Sequence, residues 1–285
     1  MWLLFALLNP VSEALRSMFV KKTSAKIHPI HISLMNNFLS FVLFTPLLFF
    51  IDLKFNWLFW IGVTGSAIIN LLASIYYIKA IASDDISIVM PMLSFTPLFL
   101  LFSSPFILGE FPGVEGLLGI LCIVFGSYTL NLNIRKFSLT EPFKALLRSK
   151  GTRYMLFVSF IWSISANCDK ISINNSSVIQ HIAFVNIMVF LGMLLIVKLR
   201  GQLDLKVLNE NKGQLMIISA FTASAFIIHN TALSLTLAAY VIALKRLAGM
   251  ISVFLGHFFL KEVGIKYRLA GAAIMLCGVI LILLD

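Results

Sequence analysis

Residues 239–253 read AYVIALKRLAGMISV and set two cations, Lys245 and Arg246, side by side in a long apolar run. Arginine offers a planar fork of donors and lysine a compact point charge, a combination suited to an anion. Neighbouring residues lie about 100° apart around a helix, so both can border one cavity. The alternative is a structural ion pair with an acid on another helix. The first apolar run carries Asn9, Glu13 and Arg16 at i, i+4 and i+7. Burial raises a carboxyl's proton affinity, which would suit Glu13 to proton exchange and make it, with Arg16, the coupling candidate. Pairing of Glu13 with Arg16, Lys245 or Arg246 is the competing reading, and Arg16 is near enough to the run's end to snorkel. Further polar stripes recur at helical spacing: Ser33, Asn36, Asn37 and Ser40; Ser66, Asn70, Ser74 and Tyr77; Ser159, Ser163, Asn167 and Lys170. Such stripes either bond neighbouring helices or line a wet cavity. With Tyr240 and Asn186, residues Asn37, Asn70, Tyr77 and Asn167 complete the candidate substrate set around Lys245 and Arg246.

The elements that position these groups follow from composition. Of the 285 residues, 60% are hydrophobic and 12% charged, and mean hydropathy is +0.98. Soluble domains are roughly half apolar and a quarter charged, so the chain is a polytopic membrane protein. Its net charge of +10 sits mostly between apolar runs, which makes topology, not nucleic-acid binding, the explanation. Cys122, Cys168 and Cys277 are odd in number and widely spaced, so neither a disulfide framework nor a zinc site is expected. Residues 1–20 lack a basic leading segment and read as a spanning helix, not a cleaved signal.

A span needs about 20 mostly apolar residues. Ten are expected, at about 2–20, 31–51, 57–78, 86–108, 114–131, 154–171, 178–198, 213–234, 237–260 and 267–284. The fold class is therefore all-α, with ten transmembrane helices. Lys and Arg concentrate after spans 1, 5, 7 and 9, whereas the even-numbered connections hold little beyond Lys54 and Lys170. Cytoplasmic loops collect basic residues, so both ends should face away from the cytoplasm. A reporter active only in the cytoplasm, fused after Asp285, is expected to stay silent; a signal would overturn this topology.

The chain also repeats. At an offset of 152 residues, Leu108-Gly-Glu110 falls on Leu260-Lys-Glu262, Gly119 on Gly271 and Gly126 on Gly278; Asn37 pairs with Asn186 after a small gap. The expected domains are a five-helix repeat at 1–131, a basic cytoplasmic loop at 132–153 and a second five-helix repeat at 154–285. An odd helix number inverts the second repeat, an arrangement of secondary transporters that bind substrate near the midplane. Glu110 and Glu262 are expected to favour the N-termini of the helices that follow them. Asn9-Pro10 and Met90-Pro91 are candidate bends. The paired glycines should pack spans 5 and 10 closely. His181, His229, Asn230 and His257 are scattered and read as packing residues, and Asp84-Asp85 as a solvated loop pair, not a metal site.

With both half-motifs in place (Leu-Gly-Glu-Phe-Pro then Gly119 and Gly126; Leu-Lys-Glu-Val-Gly then Gly271 and Gly278), and with Ile161-Trp-Ser-Ile-Ser-Ala-Asn-Cys-Asp-Lys170, the chain resembles the drug/metabolite transporter superfamily of the ten-helix EamA type. The likeness implies export or exchange of a small metabolite across a cell membrane, expected to be the bacterial inner membrane. Lys245-Arg246 is similar to the adjacent Lys-Arg that holds phosphate in sugar-phosphate translocators of this superfamily. The further lysine those proteins carry in span 4 is here Leu93, the repeat mate of Lys245, which leaves room for a carboxylate instead of a dianionic phosphate. Glu13 is reminiscent of the membrane-embedded glutamate of small multidrug-resistance proteins.

The expected function is secondary transport of a small organic anion or amino-acid-like zwitterion by alternating access, with the lipid bilayer as surroundings and a proton or counter-substrate as coupling partner. The alternative is a proton-coupled efflux carrier for drugs or amines, which Lys245 and Arg246 in span 9 oppose. An enzyme acting on lipid-linked phosphate would need acid–base or metal clusters that the sequence lacks. No P-loop occurs, so no ATP-driven step is expected, and no cofactor, metal or nucleic acid.

Overall fold

The computed structural model describes residues 1–24, 27–84, 89–130, 149–260 and 265–285. Its helices are α1 (Trp2–Ser24), α2 (Pro29–Asn36), α3 (Phe38–Phe44), α4 (Trp57–Ser83), α5 (Thr96–Ile107), α6 (Val114–Leu130), α7 (Lys150–Asn174), α8 (Val178–Leu199), α9 (Leu205–Glu210), α10 (Lys212–Leu235), α11 (Ala238–Lys245), α12 (Leu247–Leu260) and α13 (Ile265–Leu284). Tight 3₁₀ turns occupy Pro46–Phe50 and Met90–Phe95.

Among the described residues, seven segments are long and apolar enough to cross a membrane: Trp2–Val20, Ile30–Phe50, Trp57–Ala80, Met90–Ile107, Val178–Leu199, Lys212–Leu235 and Ala238–Leu255. The shorter apolar helices Val114–Leu130 and Leu269–Leu284 fall on expected spans 5 and 10. Span 6 lies inside α7, where Lys170 is buried. The all-helical, multi-pass membrane architecture expected from composition is thus present.

Three expected spans are not single straight helices. Span 2 is interrupted at Asn37, span 4 passes through a 3₁₀ turn at Met90–Phe95, and span 9 is interrupted at Arg246. The bend expected at Asn9-Pro10 is absent as a break, because α1 runs through Pro10 without interruption. A proline lacks one backbone donor, and the helix on either side can absorb that loss.

The chain divides into two compact units that interleave along the sequence. The first holds Met1–Leu71 and Cys168–Leu235, the second Leu72–Asn167 and Thr236–Asp285. In the first unit α1 lies antiparallel to α10: Asn9 Nδ2 donates to the Ala225 carbonyl at 3.0 Å, and Phe19 stacks on Phe221 with centroids 5.7 Å apart. Ile30 and Leu34 of α2, Phe59, Val63 and Ala67 of α4, and Val185, Val189 and Met193 of α8 form an apolar cluster within it. Gly62 sets α4 directly against α7, since a Cβ there would meet the Cys168 carbonyl and the Ser172 nitrogen at 2.7 Å. Gln180 clamps the loop before α4 by accepting from the Lys54 amide at 3.0 Å and donating to its carbonyl at 2.8 Å.

In the second unit α6 and α13 meet along the repeated glycines, as expected. A Cβ on Gly119 would lie 2.6 Å from the Gly278 carbonyl, and one on Gly126 would lie 2.6 Å from the Gly271 carbonyl. Rising numbers in α6 meet falling numbers in α13, so the helices are antiparallel. The 152-residue offset carries the first of these contacts onto the second, Gly119 becoming Gly271 and Gly278 becoming Gly126. A contact that maps onto itself with its partners exchanged is the signature of a local two-fold axis, as an inverted repeat requires.

Candidate functional site

Lys245 closes α11 and Arg246 is its C-cap, with the Arg246 amide donating to the Ala243 carbonyl at 2.9 Å. The next helix opens at Leu247, and Gly249 N donates back to the Arg246 carbonyl at 3.0 Å. Both cations are half-buried, between buried Leu244 and Leu247. They therefore sit at a helix interruption, where one helix ends in carbonyls and the next begins in amide donors. Cations suit the first end and an anion the second. The repeat offset carries Ser94 onto Arg246 and Phe95 onto Leu247. The junction between the Met90–Phe95 turn and α5, at Phe95–Thr96, thus falls one residue beyond the position equivalent to the Arg246 break. The equivalent break lacks the cations: Ser94 is hydrogen-bonded to Ser127 at 2.8 Å.

Other candidates in this unit divide by what holds them. Asn167 is fully buried and its amide is committed: Oδ1 accepts from Ser104 Oγ at 2.8 Å and Nδ2 donates to Ser103 Oγ at 2.9 Å. This ties α7 to α5. Asn167→Leu should cost about 1–3 kcal/mol, read by thermal unfolding, because two hydroxyls lose their partners in a buried site. Tyr77 is half-buried and tilts against Trp162, with centroids 6.1 Å apart. Tyr240 is buried in the first turn of α11, and its hydroxyl donates to the Asp285 carboxylate.

In the first unit Arg16 closes on Glu13, with Nη2 at 2.7 Å and Nε at 2.9 Å from the same carboxylate oxygen. The ion-pair alternative for Glu13 is the one this geometry displays. Asn37 occupies the α2–α3 break and is half-buried. Asn70 donates to the Ser66 carbonyl at 3.0 Å and to Ser66 Oγ at 3.2 Å. Asn186 is 1% exposed; its Nδ2 donates to the Ile182 carbonyl at 2.8 Å, while its Oδ1 is buried without a protein partner. His181, read as packing, is buried with Nε2 3.5 Å from Asp169 of α7.

Two acids do more than expected. Glu110, expected to favour the helix that follows it, also reaches a distant one: its Oε2 accepts the Ala238 amide of α11 at 3.1 Å. The reason is local: Leu237, at the N-cap of α11, has no side-chain oxygen to offer. Glu262 lies outside the described residues. Asp84 is not merely solvated: it accepts from Ser149 Oγ and Gly151 N, both at 2.6 Å, at the start of α7. Asp85 lies outside the described residues. Among the described residues no three His, Cys, Asp or Glu side chains gather as metal ligands.

Comparison with known proteins agrees with the fold. A crystal structure with 13% identity superposes with a TM-score of 0.80, covering 99% of this chain and 97% of that one. No protein of curated function matches by sequence. The family model of the EamA-like transporter family matches residues 1–132 and 149–284. The chain therefore belongs to the EamA-like transporter family and is an integral, multi-pass membrane transporter of the drug/metabolite type.

Proposed function

We propose that this transporter moves a small polar metabolite carrying an anionic group, an organic anion or an amino-acid-like zwitterion, by alternating access, with Lys245 and Arg246 holding the anion. The observation that carries this reading is the position of both cations at the α11–α12 interruption. Transporters of inverted-repeat design bind substrate at such discontinuous helices, with half-helix N-termini facing anionic groups. A buried charge within a span is expensive unless a partner or a wet cavity receives it. The amine-efflux alternative is weakened from two sides: Glu13 is engaged by Arg16, and two cations would repel an ammonium cargo. Basic loops to the cytoplasm of a bacterial inner membrane complete the reading.

Counterflow tests it. Proteoliposomes preloaded with one unlabelled carboxylate, phosphate or amine compound should accumulate its labelled form in the anionic class. Accumulation confined to amines would reject the proposal.

A further inference from the structure

The helix that presents Lys245 and Arg246 is fastened at its far end by two carboxylates, and neither belongs to its own sequence neighbourhood. Leu237 cannot cap α11, and Glu110, 128 residues away in the chain, supplies the missing acceptor to the Ala238 amide at 3.1 Å. Glu110 is aimed there by the preceding turn: Gly109 adopts φ +71, a left-handed conformation that ends α5 and reverses the chain. Two residues into α11, the Tyr240 hydroxyl donates to Asp285. The same carboxylate accepts from Gly116 N at 3.2 Å and Gly113 N at 3.3 Å, at the N-terminus of α6. An anion is favoured at that helix end. Gly116 makes the arrangement fit, because a Cβ there would overlap the Tyr240 ring, with Cζ only 2.6 Å away. The Asp285 fastening lies at the Val114 end of α6, not at its Leu130 end.

We propose that Glu110 and Asp285 are positioning residues that clamp α11, and with it the Lys245–Arg246 break, in the state seen here, and that release of this clamp is a step in the transport cycle. The proposal rests on the reading of that break as the cargo site. The two fastenings bear on the first turn of α11 and the cations close its last turn, so a shift of the first turn is carried along this two-turn helix to the cations. The Tyr240 hydrogen bond first, and then the Gly116 and Gly113 amides, hold the Asp285 carboxyl below its ordinary value of 3.8. Asp285's contribution is therefore complete above about pH 4 and is lost only as the pH falls below that. Near neutral pH the trigger is movement, not protonation of Asp285.

Hydrogen–deuterium exchange of the intact transporter in lipid nanodiscs tests this without knowledge of the cargo. Tyr240→Phe and Glu110→Ala should each speed amide exchange across 238–246 at least tenfold, while α13 amides keep their wild-type rate. Glu110→Gln retains an acceptor for the Ala238 amide and should exchange like wild type. Wild-type rates across α11 in both Tyr240→Phe and Glu110→Ala would overturn the clamp, as would equal acceleration in α11 and α13, which reports global loosening. Failure of the cargo reading would show separately, as absent counterflow in the wild type with the exchange pattern intact. Counterflow that is active in the wild type and unchanged in rate in Tyr240→Phe and Glu110→Ala would reject release as a step of the cycle.

Discussion

Gly126→Ala and Gly119→Ala are each expected to destabilise the protein by about 2–3 kcal/mol, the larger end of what overpacking costs. A methyl on Gly126 would meet the Gly271 carbonyl at 2.6 Å, Met275 Cγ at 2.6 Å and Met275 N at 2.9 Å. Two of these three atoms are backbone, so no rotamer change can make room. On Gly119 the obstacles are the Gly278 carbonyl at 2.6 Å and the Ile282 nitrogen at 2.9 Å. In a bilayer, helices gain little from hydrophobic burial against each other, and close backbone approach supplies much of their association. Gly213→Ala is the matched control: nothing stands within 4 Å of its added methyl. Glycine in a helix is roughly 0.5–1 kcal/mol less favourable than alanine, so that variant should be neutral or slightly more stable. Unfolding in detergent, followed by far-UV circular dichroism, separates the two groups.

The seam shows what kind of information the sequence displays openly. Small residues at seven-residue spacing in both halves, in register at one offset, leave little else for those helix faces to do. Composition and run length likewise reveal the membrane class and the approximate spans. The interruptions were less legible. Proline is the usual signal, yet α1 passes through Pro10, while Asn37 and Arg246 interrupt helices with neither proline nor glycine at the break. Asn167 illustrates the same limit within the candidate set. Its place on a polar stripe left both inter-helix bonding and a cavity open, and the sequence did not show that Ser103 and Ser104 on a helix some 60 residues earlier bond its amide. Glu110 had a visible motif, but the sequence did not show that it also caps a helix beginning 128 residues later. The faint signal was the leucine at the N-cap of α11, where a capping side chain is normally expected.

The second large effect concerns the cations themselves. For a ligand at a hundred times its dissociation constant, binding stabilises the folded state by about 2.7 kcal/mol. Lys245→Ala and Arg246→Ala are each expected to remove most of that gain for the cargo class. Arg246→Lys should keep only part of it, since the charge remains while the planar fork is lost. Unliganded stability should change less than liganded stability in all three variants. Raising salt from low to near-molar concentration should weaken the ligand's effect only modestly, because half-buried charges are screened less than exposed ones.

The most direct test of the anion site is a thermal-shift panel of the purified transporter against carboxylates, phosphorylated compounds, amino acids and amines, with Lys245→Ala and Arg246→Ala run beside the wild type. Stabilisation of the wild type by one anionic or zwitterionic class, lost in both variants, is the predicted result. Stabilisation by amines that survives both substitutions would contradict it and leave the α11–α12 cations as structure.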